Sequence, residues 1–138
     1  MAQPLISIVI PAYNHERFVG IAIDSVLKQT CQDFELVVVN DGSTDRTEKV
    51  IQGYEDSRIR YFFQENQDAY NTINRGVSLA EGEYVAILNS DDIYTTDRLE
   101  KLLDFSREHD KVCLFSDVIP VDDQNNEFSD PDFGWNVW

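Results

Sequence analysis

Apolar residues along this chain fall into short unbroken runs separated by segments in which they return every three or four positions, and the two patterns alternate as far as about residue 115. Unbroken runs predict buried strands, and the three-to-four spacing predicts amphipathic helices. Residues 5–10 (LISIVI) read as a first strand ended by Pro11, after which Asn14 offers an N-cap for a helix to about Thr30. Phe18, Val19, Ala22, Ile23, Val26 and Leu27 fall on one stripe of that helix. Residues 35–40 (ELVVVN) read as a second strand, whose unalternating apolar centre suits a parallel strand covered on both faces. A second helix is expected over 44–54 with Val50, Ile51 and Tyr54 inward, and a third strand over 59–63. Ala69, Ile73, Val77 and Ala80 mark a third helix that Asp68 can cap. A fourth strand over 84–88, a fourth helix over 96–108 carrying Leu99, Leu102 and Leu103, and a fifth strand over 112–115 complete the alternation.

Strand and helix alternating without a linker or an internal repeat predict an α/β fold with an open, mostly parallel twisted sheet flanked by helices, in one domain over residues 1–138. Beyond Asp117 the pattern weakens. Residues 118–121 suggest the first arm of a hairpin with its turn at 123–126, and Phe128, Phe133, Trp135 and Trp138 follow without a recognisable element, like a core missing its other half.

Composition narrows the function. With 138 residues, 42% of them apolar, the chain can close one ordinary core. Eleven basic against 26 acidic residues give a formal charge of −15, which repels nucleic acid and anionic membrane surfaces. No apolar run approaches a membrane span, and the N-terminal residues lack a secretory pattern, so a cytoplasmic location is expected. Cys31 and Cys113 are far apart in sequence and outside metal-ligand spacing, and read as reduced, packed thiols.

Ligands of open α/β sheets bind outside the carboxyl ends of the strands. Here those positions are polar: Pro11-Ala12-Tyr13-Asn14, Asp41-Gly42-Ser43-Thr44-Asp45, Glu65-Asn66-Gln67-Asp68 and Asn89-Ser90-Asp91-Asp92. Adjacent acids after an apolar strand repel each other unless a hard cation intervenes, and oxygen-rich sites of this kind suit Mg²⁺ or Mn²⁺ completed by water and substrate phosphate. The alternative is that Asp91 or Asp92 caps a turn. A chain of this charge holds an anionic diphosphate only with positive help, and no glycine-rich cradle with a lysine is present. Tyr13 can stack on a nucleobase or pack at the strand end.

The segments Ser7 to Asn14 (SIVIPAYN), Val38 to Asp45 (VVNDGSTD) and Gly82 to Asp92 (GEYVAILNSDD) resemble, in order and spacing, the successive signatures of family 2 glycosyltransferases with a GT-A, Rossmann-like fold, over about residues 5 to 123. The resemblance implies that Pro11, Ala12 and Tyr13 line a base pocket and that Asp41 hydrogen-bonds the base. A carboxylate accepts only, which suits uracil, thymine or guanine and disfavours cytosine, and a UDP-sugar is the favoured donor. Asp91 matches the last acid of the family's Asp-x-Asp metal motif, while the first position holds Asn89. Asn89 remains a candidate for the ribose or a metal-bound water, and Ser90 for the nucleotide. Asn66 and Asn74 match asparagines common in the family, read as residues that fix their loops or touch the donor, with Asn66 counted among the nucleotide-binding candidates, and Asp68 stands where many relatives have glycine.

The implied reaction is inverting transfer of a sugar from a nucleoside diphosphate to an acceptor hydroxyl of a saccharide or lipid-linked saccharide, in cell-surface polysaccharide synthesis. Its general base is expected beyond Trp138, so the fold is expected to be truncated at its C-terminus, donor-binding but catalytically incomplete. Two other readings are a non-catalytic nucleotide-sugar-binding or assembly module and a receiver-like phosphoacceptor domain. The second wants an acidic pair after the first strand, where Pro11-Ala12-Tyr13-Asn14 stands.

Overall fold

A computed structural model describes residues 3–109, 113–122 and 124–127. Among them β1 (Ile6–Ala12), β2 (Phe34–Asp41), β3 (Ile59–Gln64) and β4 (Tyr84–Ile87) form a parallel sheet in the order β3-β2-β1-β4. They alternate with α1 (Val19–Leu27), α2 (Thr47–Gln52), α3 (Ala69–Leu79) and α4 (Arg98–Glu108). This is the α/β architecture that the alternation predicts, with the Rossmann-like parallel sheet that the resemblance implies.

Side chains alternate across the strands, so the sheet has two different faces. Ile6, Ile8, Ile10, Leu36 and Val38 pack on one side with Val19, Ala22, Ile23 and Val26 of α1, Ile51 of α2, and Leu99 and Leu103 of α4. Val9, Val37 and Val39 pack on the other with Phe62 and Leu79. All eight residues of β2 are buried, as expected of a strand covered on both faces.

The second face belongs to α3, which lies over β1 and β2. Its contact line differs from the expected apolar stripe: Val77 is 40% exposed and Ala69 is exposed, while Thr72 and Gly76 are buried. A Cβ on Gly76 would stand 2.2 Å from Val9 Cγ1, so the helix sits closer to the sheet than a side chain there allows. Val85 and Ile87, in register with Ser7 and Val9, continue this face but remain 45% and 46% exposed at the β4 edge.

Other boundaries shift for identifiable reasons. Pro11 does not end β1, which pairs on through Ala12 with Asn40. In a parallel ladder alternate residues turn to alternate neighbours, and Val9 O accepts from Leu88 N, so Pro11 turns toward β4 after β4 has ended and its missing N–H forfeits no ladder bond. Asn14 does not cap α1, which begins only at Val19. Asn14 takes a left-handed conformation (φ 51°) and its Oδ1 accepts from Thr44 N at 2.8 Å. The second helix is shorter than expected because the residues before it are spent on such loop contacts.

Residues 113–115 form no strand, and Phe115 is 90% exposed. The run pairs with no strand among the described residues. Val112 lies outside the described residues. In place of a hairpin there is one antiparallel bridge, Val121 to Glu127, around a turn in which Asp122 accepts from the N–H groups of Gln124 and Asn126. Asp123 and the aromatic residues Phe128, Phe133, Trp135 and Trp138 lie outside the described residues. Among the described residues no helix is long and apolar enough to cross a membrane.

Candidate functional site

With the order β3-β2-β1-β4, the chain winds outward from β1 through β2 to β3 and then crosses back to lay β4 on the other side of β1, and at this reversal a crevice opens at the carboxyl ends of the strands. A cleft of about 400 Å³ occupies that position. β1 contributes Pro11, Ala12 and Tyr13 to its wall, β2 contributes Asp41, and the loop after β3 contributes Asn66. Asn89, Ser90 and Asp91 close it after β4. The eight residues singled out in the sequence as nucleotide- or metal-binding candidates therefore stand around one cavity.

Asp41 is buried at 3% exposure, on the same sheet face as α3. Gln64 Nε2 donates to its Oδ1 at 2.6 Å, Gln67 N to the same oxygen at 3.0 Å, and Asn66 Nδ2 to Oδ2 at 3.2 Å. Gln64 is itself held between Asp41 and Thr72 Oγ1, which ties the base of α3 to the carboxylate. A buried anion is tolerable here because neutral donors surround it. Oδ2 has one long hydrogen bond and retains capacity to accept another.

The turn after Asp41 requires glycine. Gly42 has φ +70°, and a Cβ there would stand 2.7 Å from Asn66 N. The loops after β1 and β2 are then laced together: Asn14 N donates to Ser43 Oγ, His15 N to Thr47 Oγ1 and Glu16 N to Asp45 Oδ2. Burial pushes the Asp45 carboxyl up, but the hydroxyl and N–H of Thr47 and the N–H of Glu16 outweigh it, and the group lies below the usual carboxylate range.

On the opposite wall Asp91 is exposed, and among the described residues its carboxylate takes no hydrogen bond or ion pair. Asp92 is instead held by Asn89, whose Nδ2 donates to Asp92 Oδ2 at 3.0 Å. Tyr94 steadies the loop from below, donating its hydroxyl to Ile87 O at 2.7 Å; burial pushes that phenol up. Among the described residues no group of three or more His, Cys, Asp or Glu side chains is placed to hold a metal. One unpartnered carboxylate facing a cleft fits the magnesium mode, in which one or two protein oxygens share the ion with water and substrate phosphate.

Sequence reasoning passed over His15, Ala69 and Thr72, all of which line the cleft. Asp68 also lines it, and as expected caps α3, accepting from Asn71 N at 2.8 Å. Its backbone keeps a glycine-like conformation (φ 152°, ψ 169°). Asn74 is exposed on α3 and does not line the cleft. His15 and Thr72 carry no local signal, since their place depends on how β1 and α3 dock.

The model of Glycosyl transferase family 2 matches residues 7–136. Glycosyltransferase GlyG of Streptococcus pneumoniae serotype 4 is 36% identical over 127 residues, which cover 90% of this chain and 42% of GlyG. TarS 1-349 of S. aureus, solved with UDP-GlcNAc, superposes with a TM-score of 0.71 at 30% identity, over 76% of this chain and 32% of TarS. The mannosyltransferase PcManGT of Pyrobaculum calidifontis, solved with GDP-Man and Mn²⁺, has a TM-score of 0.68 over 77% of this chain and 33% of its own; at 22% identity it shares the fold. The chain thus spans less than half the length of each of these relatives.

Proposed function

Because this chain belongs to glycosyl transferase family 2 and has its GT-A fold, we propose that the cleft binds a nucleoside-diphosphate sugar, with UDP as the favoured nucleotide, together with Mg²⁺ or Mn²⁺, as the donor half of an inverting transferase. The observation that carries this reading is that one cavity is lined both by a buried, accept-only Asp41 and by an exposed Asp91 that has no partner among the described residues.

Asp41 accepts the imide N–H of uracil at Oδ2, while Gln64, Asn66 and Gln67 keep the carboxylate from turning away. Cytosine offers no N–H at that ring position and is disfavoured. Tyr13, 47% exposed on the wall beside Asp41, provides an aromatic face for the base. The TarS complex supports UDP as the nucleotide.

Among the described residues Asp41, Asp68 and Asp91 line the cleft and no lysine or arginine does, so a diphosphate entering it meets net negative charge. A divalent ion at Asp91 would supply the missing charge and, when bound, Lewis-acid stabilisation of the leaving diphosphate. Because Asn89 spends its amide N–H on Asp92, its carbonyl oxygen stays available for a ribose hydroxyl or an ion-bound water.

The general base lies, on this reading, outside residues 1–138. Of the carboxylates that line the cleft, Asp41 is sequestered by three donors, Asp68 caps α3 and Asp91 faces the ion. Residues 1–138 are then a single donor-binding domain.

Calorimetric titration of the chain with UDP tests the reading. Binding is expected with Mn²⁺, to fall at least about tenfold on chelation, and to fall similarly in Asp91→Ala. Tight binding indifferent to both metal and Asp91 would mean a nucleotide-sugar-binding module that works without the ion.

A further inference from the structure

Among the described residues that line the cleft, His15 alone can present an N–H donor from a ring, on walls that otherwise offer carboxylates, amides and hydroxyls. Its position is fixed from three sides. His15 N donates to the buried Thr47 Oγ1 at 2.8 Å, and His15 O accepts from Phe18 N and Val19 N at 3.0 and 2.9 Å, which starts α1. The ring meets Phe18 edge-on, with centroids 6.1 Å apart. Across the cleft mouth His15 Nδ1 hydrogen-bonds Ser90 Oγ at 2.7 Å.

Pairing the buried hydroxyl selects one tautomer for that last contact. Ser90 is 2% exposed, and among the described residues its hydroxyl has no partner other than His15 Nδ1. A buried hydroxyl donates its hydrogen where an acceptor exists, so Ser90 donates and Nδ1 accepts. The ring proton then resides on Nε2, and among the described residues no protein acceptor takes it. Ser90 directly precedes Asp91, so the same bond places the imidazole next to the loop where the diphosphate is expected.

We infer that His15 is a diphosphate-binding residue: its Nε2–H donates to a phosphoryl oxygen of the nucleotide, while its Nδ1 bond to Ser90 holds the Asp91 loop in reach of the same group. This rests on the donor-site reading above. It adds a contact specific to the phosphates, independent of the base contacts at Asp41 and Tyr13.

NMR titration of the chain with UDP and with uridine, both in Mn²⁺-free buffer containing Mg²⁺, separates the possibilities. His15→Ala is expected to weaken UDP by about 10- to 100-fold, as loss of a hydrogen bond to a charged group does, and to leave uridine within about twofold. H15Q, whose amide reaches as far as Nε2, is expected to recover most of the loss. H15N can still meet Ser90 but falls short of the phosphate, and is expected to resemble H15A. Equal losses for UDP and uridine, unchanged UDP affinity in H15A, an H15Q no better than H15A, or an H15N equal to wild type would each overturn the assignment. Wild-type chain that binds neither ligand would instead sink the donor-site reading itself.

Discussion

Asp68 sits in a backbone conformation that glycine occupies freely and other residues do not, with φ 152° and ψ 169°. Holding a side chain there costs on the order of 1–3 kcal/mol. Against this, the Asp68 carboxylate accepts from Asn71 N at 2.8 Å and from Asn71 Nδ2 at 2.9 Å at the start of α3. Replacing a capping Asp by Gly costs a few tenths of a kcal/mol. The greater freedom of glycine in the unfolded chain costs a further ~0.4–1 kcal/mol. The relief of strain exceeds these losses, and Asp68→Gly is expected to stabilise the chain by about 1 kcal/mol. Asp68→Ala keeps the strained backbone and loses the cap, and is expected to destabilise by about 1 kcal/mol.

The two variants thus bracket the wild type, with a span of about 2 kcal/mol that urea unfolding resolves through a shift in midpoint at constant slope. The order Gly, then Asp, then Ala is the diagnostic result. Both variants lose the capping carboxylate, so if Asp68→Gly proved less stable than Asp68→Ala, the backbone strain assigned to this position would be absent and the reasoning would fail. Neither variant removes a group assigned to the nucleotide, and Asp68→Gly removes one negative charge from the cleft wall, so UDP affinity is expected to hold or rise.

Two further predictions concern the other end of the sheet. A Cβ on Gly82 would stand 2.5 Å from Ser7 N and 2.8 Å from the carbonyl carbon of Ile6, both backbone atoms, so Gly82→Ala is expected to destabilise by about 3 kcal/mol or more in the same unfolding assay. Glu35 is 6% exposed; burial pushes its carboxyl up, but hydrogen bonds from Ser7, Arg60 and Glu81 N outweigh that and leave it below its ordinary value of 4.5. A depressed carboxyl stabilises the fold above the unfolded-state value and loses that contribution as pH falls through the folded one. The stability advantage of wild type over Glu35→Gln is therefore expected to be full at pH 7 and to shrink progressively below about pH 4.5 in denaturant titrations, and a pH-independent gap would refute it.

The Glu35 network also shows how far the sequence could be read. Glu35 appears in the chain as the first residue of an apolar strand, and Ser7 and Arg60 as polar interruptions of two others. Register places Ser7 opposite Glu35, and the carboxylate bridges to Arg60 and Glu81 N. Nothing local in the sequence announces that three polar positions on different strands will meet.

What the sequence by itself determined is whatever depends on neighbours along the chain. Runs such as Leu36 to Val39 specify a strand buried on both faces, the Asp41-Gly42 turn specifies a left-handed glycine, and the polar residues after each strand mark one edge of a parallel sheet. Strand period and turn stereochemistry are local physics, so they survive without a tertiary context. The tertiary structure decided the rest: that α3 docks through Gly76 rather than Val77, that Asn14 ties two loops instead of capping a helix, and that His15 meets Ser90 across the cleft. Each of these joins residues 30 or more positions apart, or depends on how closely a helix approaches the sheet. Such distances are set by the packing of whole elements and by no periodicity in the chain.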